Sequence, residues 1–194
     1  MEQIKRFAES HTIPIMSDAT WEFVHYILAT TQPKVCWEIG SAIGRGSIHI
    51  ARTIQERWGY LWSCEISHPS YQLTLRHQRQ HKVTNFTCYH ADMMHIPHAV
   101  IPRLDFVFID GQKSMYAEYL AYLIPHLHDQ TVIVCDDCIR FADKMPTLIT
   151  TAESLGLHGQ LVRLRDDDGV YILSKQPTAR LRDIIQNSNC ACEL

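Results

Sequence analysis

Short apolar runs alternate with stretches of helical period along most of this chain. Residues 1–10 read as a short amphipathic helix and 11–16 as a loop holding Pro14. Ser17 or Asp18 caps a helix to about residue 28. The run VCWEI, 35–39, is apolar at nearly every position and predicts a strand, followed by helical period over 46–58. The unit then repeats: strand 60–64 with helix 70–81, strand 85–89, strand 105–109 with helix 115–128, and strand 131–135 with helix 141–155. Strands buried on both faces and separated by helices predict βαβ units and a parallel sheet. After them the pattern changes. Strands 160–164 and 170–174 flank the turn DDDG, 166–169, which predicts an antiparallel hairpin.

The expected fold is therefore α/β: a Rossmann-like seven-stranded mixed sheet, helices on both faces, closed by a C-terminal hairpin. One domain spans 1–185, with 1–30 as an N-terminal helical cap. The tail 186–194 has no periodicity and is expected to be flexible.

Composition narrows the classes. Hydrophobic content of 46% and charged content of 20% fit a globular domain. A formal net charge of -3 gives no bulk attraction to nucleic acid and leaves room only for a local basic patch. No apolar run reaches membrane-spanning length, and the polar N-terminus is no signal peptide. The seven cysteines are an odd set, with Cys36, Cys64, Cys88 and Cys135 in strand runs; buried thiols suit a reducing, cytoplasmic setting. Cys135 and Cys138 form a lone CxxC, and a single pair reads more simply as a strand thiol and a loop thiol than as a redox or zinc site.

The candidate chemistry sits at strand ends. The segment LDFVFIDGQKSMYAEYL delivers Asp110 to a strand tip, with Lys113 three residues on. The next strand ends in Asp136 and Asp137. Three carboxylates and a lysine at neighbouring tips suit a hard metal ion with a base beside it, although each acid alone reads as a strand-end cap and the lysine alone as a solvated cation. In VCWEIGSAIGRGS, Gly40, Gly44 and Gly46 permit a tight turn and close approach of a ligand. Glu38 faces that loop, Glu65 ends the second strand and Asp92 the third. No strict G-x-G-x-x-G and no Walker lysine are present, and an acid at the loop suits a ligand with a cationic amine and no phosphate there. S-adenosylmethionine (SAM) is such a ligand.

On these residues the chain resembles class I SAM-dependent O-methyltransferases, in the catechol and caffeoyl-CoA branch with its short bacterial relatives. The parts that carry the resemblance are IPIMS (13–17), the glycine loop, SCEIS, FIDGQKSMY, VIVCDD and DGVYILSK. It implies that Glu38, Gly40, Ser41, Gly44 and Ser47 line the methionine end of SAM, that Glu65 holds the ribose, and that Asp92 and Met93 border the adenine. Met16 and Ser17 would cover the cofactor, with Asp110 beside it. Asp110, Asp136 and Asp137 would bind Mg²⁺ or a similar divalent ion, and Lys113 would be the general base, its pKa lowered by desolvation and the metal. Asp137 departs from the family, which usually has Asn there. The activity implied is methyl transfer to a hydroxyl of a small catechol-like acceptor, by an enzyme that is often a homodimer. Two other readings use the same fold. One is a methyltransferase of hydroxylated uridine in tRNA, with Arg45, Arg103 and Arg140 in loops suited to a nucleic acid. The other is a non-catalytic SAM-binding protein.

Overall fold

Residues that alternate along a strand go to opposite faces of a sheet, and here both faces are apolar. Cys36, Phe106, Phe108, Val132 and Val134 pack on one face; Trp37, Ile39, Val107, Ile109 and Ile133 pack on the other. The structure, a computed structural model, describes residues 1–165, 168–176 and 182–183. The helices are α1 (Glu2–Ser10), α2 (Asp18–Thr31), α3 (Arg45–Gln55), α4 (His68–Gln80), α5 (Tyr116–Leu123) and α6 (Leu148–Ser154). The strands are β1 (Val35–Ile39), β2 (Tyr60–Glu65), β3 (Phe86–His90), β4 (Leu104–Ile109), β5 (Leu127–Cys135), β6 (His158–Arg165) and β7 (Asp168–Ser174). They form one sheet in the order β3-β2-β1-β4-β5-β7-β6. The first five run parallel, and β7 pairs antiparallel with both β5 and β6. This is the seven-stranded mixed sheet with a C-terminal hairpin that the alternation predicts. The apolar positions of α1 to α3 join the first core, and those of α5 and α6 the second.

Three expectations shift. The helix predicted over 115–128 ends at Leu123, because Pro125 cannot donate to the ladder; a 3-10 turn at Ile124–His126 follows. The residues freed this way lengthen β5 back to Leu127, with a register irregularity where Leu104 pairs Leu127 but Phe106 pairs Val132. Thr131 closes this bulge: its Oγ1 accepts from the His128 N–H and donates to Leu104 O. The helix predicted over 141–155 shrinks to Leu148–Ser154, since Pro146 interrupts it after a 3-10 turn at Ala142–Lys144. Of the predicted turn 166–169, Asp168 and Gly169 belong to β7, and 166–167 lie outside the described residues. The tail expected to be flexible, 186–194, lies outside the described residues.

The strand order reverses beside β1, which pairs with β2 on one side and β4 on the other. The crevice at the carboxyl ends of the strands there is where open α/β sheets bind ligands. Backbone bonds pin its rim. Gly40 N donates to Cys64 O at 3.0 Å, Asp110 N to Ile39 O at 2.9 Å and Asp136 N to Ile109 O at 2.9 Å. Each acid-bearing tip is thereby held laterally by its neighbour.

Candidate active site

The glycine loop is shaped by contact as much as by turning. Gly40 has φ +91°, and a Cβ there would stand 2.4 Å from the carbonyl oxygen of Asp110. A Cβ on Gly46 would meet Glu38 Oε1 at 2.9 Å and Met16 Cε at 3.4 Å, so Met16 lies over the loop. Beneath the loop Glu38 is almost fully buried, and its Oε2 accepts hydrogen bonds from the hydroxyls of Ser63, at 2.7 Å, and Ser47. Burial pushes the Glu38 carboxyl up to about 7, against the two serine donors and with help from Asp110 and Glu65. Glu65 accepts from Ala42 N at 2.8 Å and Ser67 N at 2.7 Å, which fixes its carboxylate plane and leaves lone pairs for a diol. Ser41 turns its hydroxyl inward toward Thr74, 3.2 Å away, so its backbone alone faces the loop. At the tip of β3, Asp92 accepts from Met94 N at 3.0 Å and Met93 is buried in the second core.

A second group of side chains lies across β4, β5 and β7. Lys113 Nζ donates to Asp110 Oδ1 at 2.7 Å and Tyr116 Oη at 2.9 Å, and pairs with Asp137 Oδ2 at 2.7 Å. Tyr116 passes the chain on to Asp136 O at 3.3 Å. Oxygens of Asp136, Asp137 and Asp168 lie within 4.8 Å of one another. Thr20 Oγ1 donates to Asp136 Oδ1 at 3.3 Å, and Ser17 Oγ donates to Asp168. Burial, then the charges of Asp110 and Asp137, drive the Asp136 carboxyl well above its usual range. Burial alone would lower Lys113, but Asp110 and Asp137 overturn that and hold its ammonium above the ordinary lysine value.

A protein-family model described as a methyltransferase domain matches residues 37–138, more than half of the chain. The chain belongs to this methyltransferase family. Solved structures carry the same fold at low identity. A Bacillus cereus O-methyltransferase in complex with SAH is 15% identical, with 89% of each chain covered and a TM-score of 0.78. A Staphylococcus aureus protein provisionally named a caffeoyl-CoA O-methyltransferase is 17% identical over 89% of this chain and 91% of that one, TM-score 0.77. TomG of Streptomyces achromogenes, an O-methyltransferase involved in tomaymycin synthesis and solved with SAM, is 16% identical over 87% and 86%, TM-score 0.72.

Within this methyltransferase the residues expected around the cofactor gather in one crevice: Glu38, Gly40, Gly44, Ser47 and Glu65 around the loop, with Met16 above and Asp110 below. The metal expectation is redistributed. Asp136 and Asp137 converge with Asp168, while Asp110 is turned to Lys113. Asp168, expected in a solvated turn, is the first residue of an antiparallel strand, which returns it to the tips of the parallel ones. Asp137 has φ +61°, a left-handed backbone that Asp and Asn tolerate better than other side chains. Beside Asp110 and Asp137 the pKa of Lys113 is raised, where desolvation and a metal were expected to lower it. Arg45 is no mouth cation either: it is buried, donating to Met16 O and paired with Asp18. Arg103, just before β4, lies at the opposite edge of the sheet. Tyr116 and Thr20 carried no expectation; the first was legible as the i+3 partner of Lys113 on one helical face.

Proposed function

We propose that the protein is a SAM-dependent O-methyltransferase that methylates a hydroxyl of a small, catechol-like acceptor with the help of a divalent cation. The observation that carries this reading is the junction of two sites along one crevice: the glycine loop over Glu38, and the carboxylate group around Lys113. A cleft of about 630 Å³ lies outside this crevice, between α1 and residues 12–18, and only Met16 and Ser17 of its lining belong to the candidate site.

SAM, when bound, supplies a sulfonium methyl group to an oxygen aligned behind the carbon–sulfur bond. Glu38 and the loop backbone would hold its amino-acid end, and Glu65 its ribose hydroxyls. The donor set at the neighbouring tips fits a hard cation. Asp136, Asp137 and Asp168 offer three converging oxygens. These three would hold the ion, and Asp110 would anchor Lys113. A divalent ion there would lower the pKa of two adjacent acceptor hydroxyls and fix their orientation. Neutral Lys113, its extra proton already lost to solvent, would receive the hydroxyl proton while the oxygen lone pair bonds the methyl carbon and the carbon–sulfur pair leaves on sulfur as S-adenosylhomocysteine. Asp110 and Asp137 favour its ammonium form, so the neutral amine is the minor species.

The test is calorimetric titration of SAM, then of Mg²⁺ with catechol, followed by methyl-transfer assays with and without EDTA. SAM binding and an EDTA-sensitive turnover are expected, with Mg²⁺ affinity reduced at least tenfold by Asp136→Asn and within about twofold of wild type in Asp110→Asn. Turnover untouched by EDTA sinks the metal's part, and failure to bind SAM sinks the reading as a whole.

A further inference from the structure

The end of the sheet opposite the active site has a charge pattern that methyl transfer does not use. From Ile66 to Ala91 the chain has no acidic residue, yet it carries Arg76, Arg79 and Lys82 with His68, His77, His81 and His90. Arg76, Arg79 and Lys82 are exposed. Arg52, exposed on α3, joins them: its Nη2 donates to His81 O at 3.1 Å. Among the described residues no carboxylate lies within ion-pair distance of these four cations. Glu56 lines a neighbouring cleft with Arg52, and Glu2 on α1 pairs with Arg6. Burial first, then the amino-terminal charge and Arg52, hold His81 below its usual pKa.

Beside the cations stands an aromatic platform. Trp58 is 95% exposed, and its φ of +59° is a backbone conformation bulky side chains rarely adopt. Its ring borders a cleft of about 760 Å³ lined also by Arg52, Gln55, Tyr60, Thr84 and Asn85. These residues lie at the amino ends of β2 and β3, whereas Glu38, Glu65, Asp110 and Asp136 lie at the carboxyl ends of the parallel strands. A strand of this length separates the two by roughly 17–20 Å.

We propose that this face binds a single-stranded nucleic acid, with phosphates on Arg52, Arg76, Arg79 and Lys82 and a base stacked on Trp58. Guanidinium groups along a track and an exposed ring beside it are the two components of sequence-tolerant single-strand binding. An unstacked base is what a free aromatic face accepts; a duplex hides its bases. A lipid surface fits less well. Trp58 is the one large apolar side chain exposed on this face among the described residues, and the outward positions of α4 are His68, Pro69, Gln72, Arg76, Arg79 and Gln80. The proposal stands independently of the methyl acceptor.

The experiment is fluorescence anisotropy with a labelled twelve-nucleotide oligouridylate, its duplex with oligoadenylate, and anionic phospholipid vesicles, across 50 to 200 mM salt. The single strand is expected to bind, with a log–log salt slope of about -2 to -3, as three to four neutralised phosphates imply. Arg76→Glu combined with Arg79→Glu should weaken it at least tenfold, and Trp58→Ala several-fold, with melting temperatures unchanged. In the wild-type protein the oligouridylate should quench tryptophan fluorescence, and Trp58→Phe should abolish the quenching. The proposal fails if no single strand binds at 50 mM salt, if the charge-reversed variant binds as tightly as wild type, or if duplex or vesicles are bound in preference.

Discussion

Glu38 shows how one buried carboxyl couples ligand binding to stability. With its pKa raised to about 7, it is uncharged in the acid range and ionises only near neutrality. A folded-state pKa above the unfolded one adds stability at low pH that is lost as pH climbs through the folded value. Ligand-free protein should therefore melt at lower temperature at pH 7.5 than at pH 5.5, through a term of about 2 kcal/mol. Affinity for S-adenosylhomocysteine, whose amine needs the ionised carboxylate, should run the opposite way and rise about tenfold from pH 6 to 8. Calorimetry across that range checks both trends, and Glu38→Gln should flatten them. Lys113 supplies a second pH dependence. Its ammonium is held above the ordinary value, so turnover should climb with pH through the neutral range as the neutral amine becomes available. Lys113→Ala should reduce turnover by about a hundredfold or more, remove that slope and leave SAM affinity within about twofold. A variant with wild-type turnover would deny Lys113 its role.

At the scale of elements, the glycine loop and β4 interlock. Replacing Gly40 with Ala combines a left-handed φ with a Cβ driven into the carbonyl of Asp110. The clash is with backbone, which cannot swing aside, so Gly40→Ala should lower the melting temperature by roughly 5–10 °C and abolish SAM binding in the same titration. The elements that carry the site were legible in the sequence for physical reasons. β1, β2 and β4 are buried on both faces, so their apolar runs are continuous and their ends abrupt, and the acids that stop each run are the tip residues themselves. What was not legible depends on partners distant in the chain. The stretch 127–135 looks like helix end, turn and strand until Thr131 is seen closing a bulge against Leu104. Asp168 looked like a solvated turn because nothing local to DDDG indicates that Ser17 and Thr20 stand opposite it. Pro125 and Pro146 were visible and should have shortened both helices.

At the scale of the molecule, two apolar cores share one sheet, and the crevice is reached from both. A ligand bound there braces α1 and α2 against β1 and β4 together. Saturation with S-adenosylhomocysteine at a hundredfold excess over its Kd should add about 3 kcal/mol and raise the melting temperature by roughly 6–10 °C in differential scanning calorimetry. A ligand that bound without any such rise would be sitting elsewhere. The antiparallel placement of β7 has a further consequence. Every parallel strand brings its last residue to the reaction edge, but β7 brings its first, Asp168, directly after the connection from β6. One wall of the candidate site is thus set by where a strand begins, whereas the others are set by where strands end. Because β7 pairs antiparallel with β5, the register Ile133↔Leu173 to Cys135↔Tyr171 fixes how far Asp168 reaches past the parallel tips.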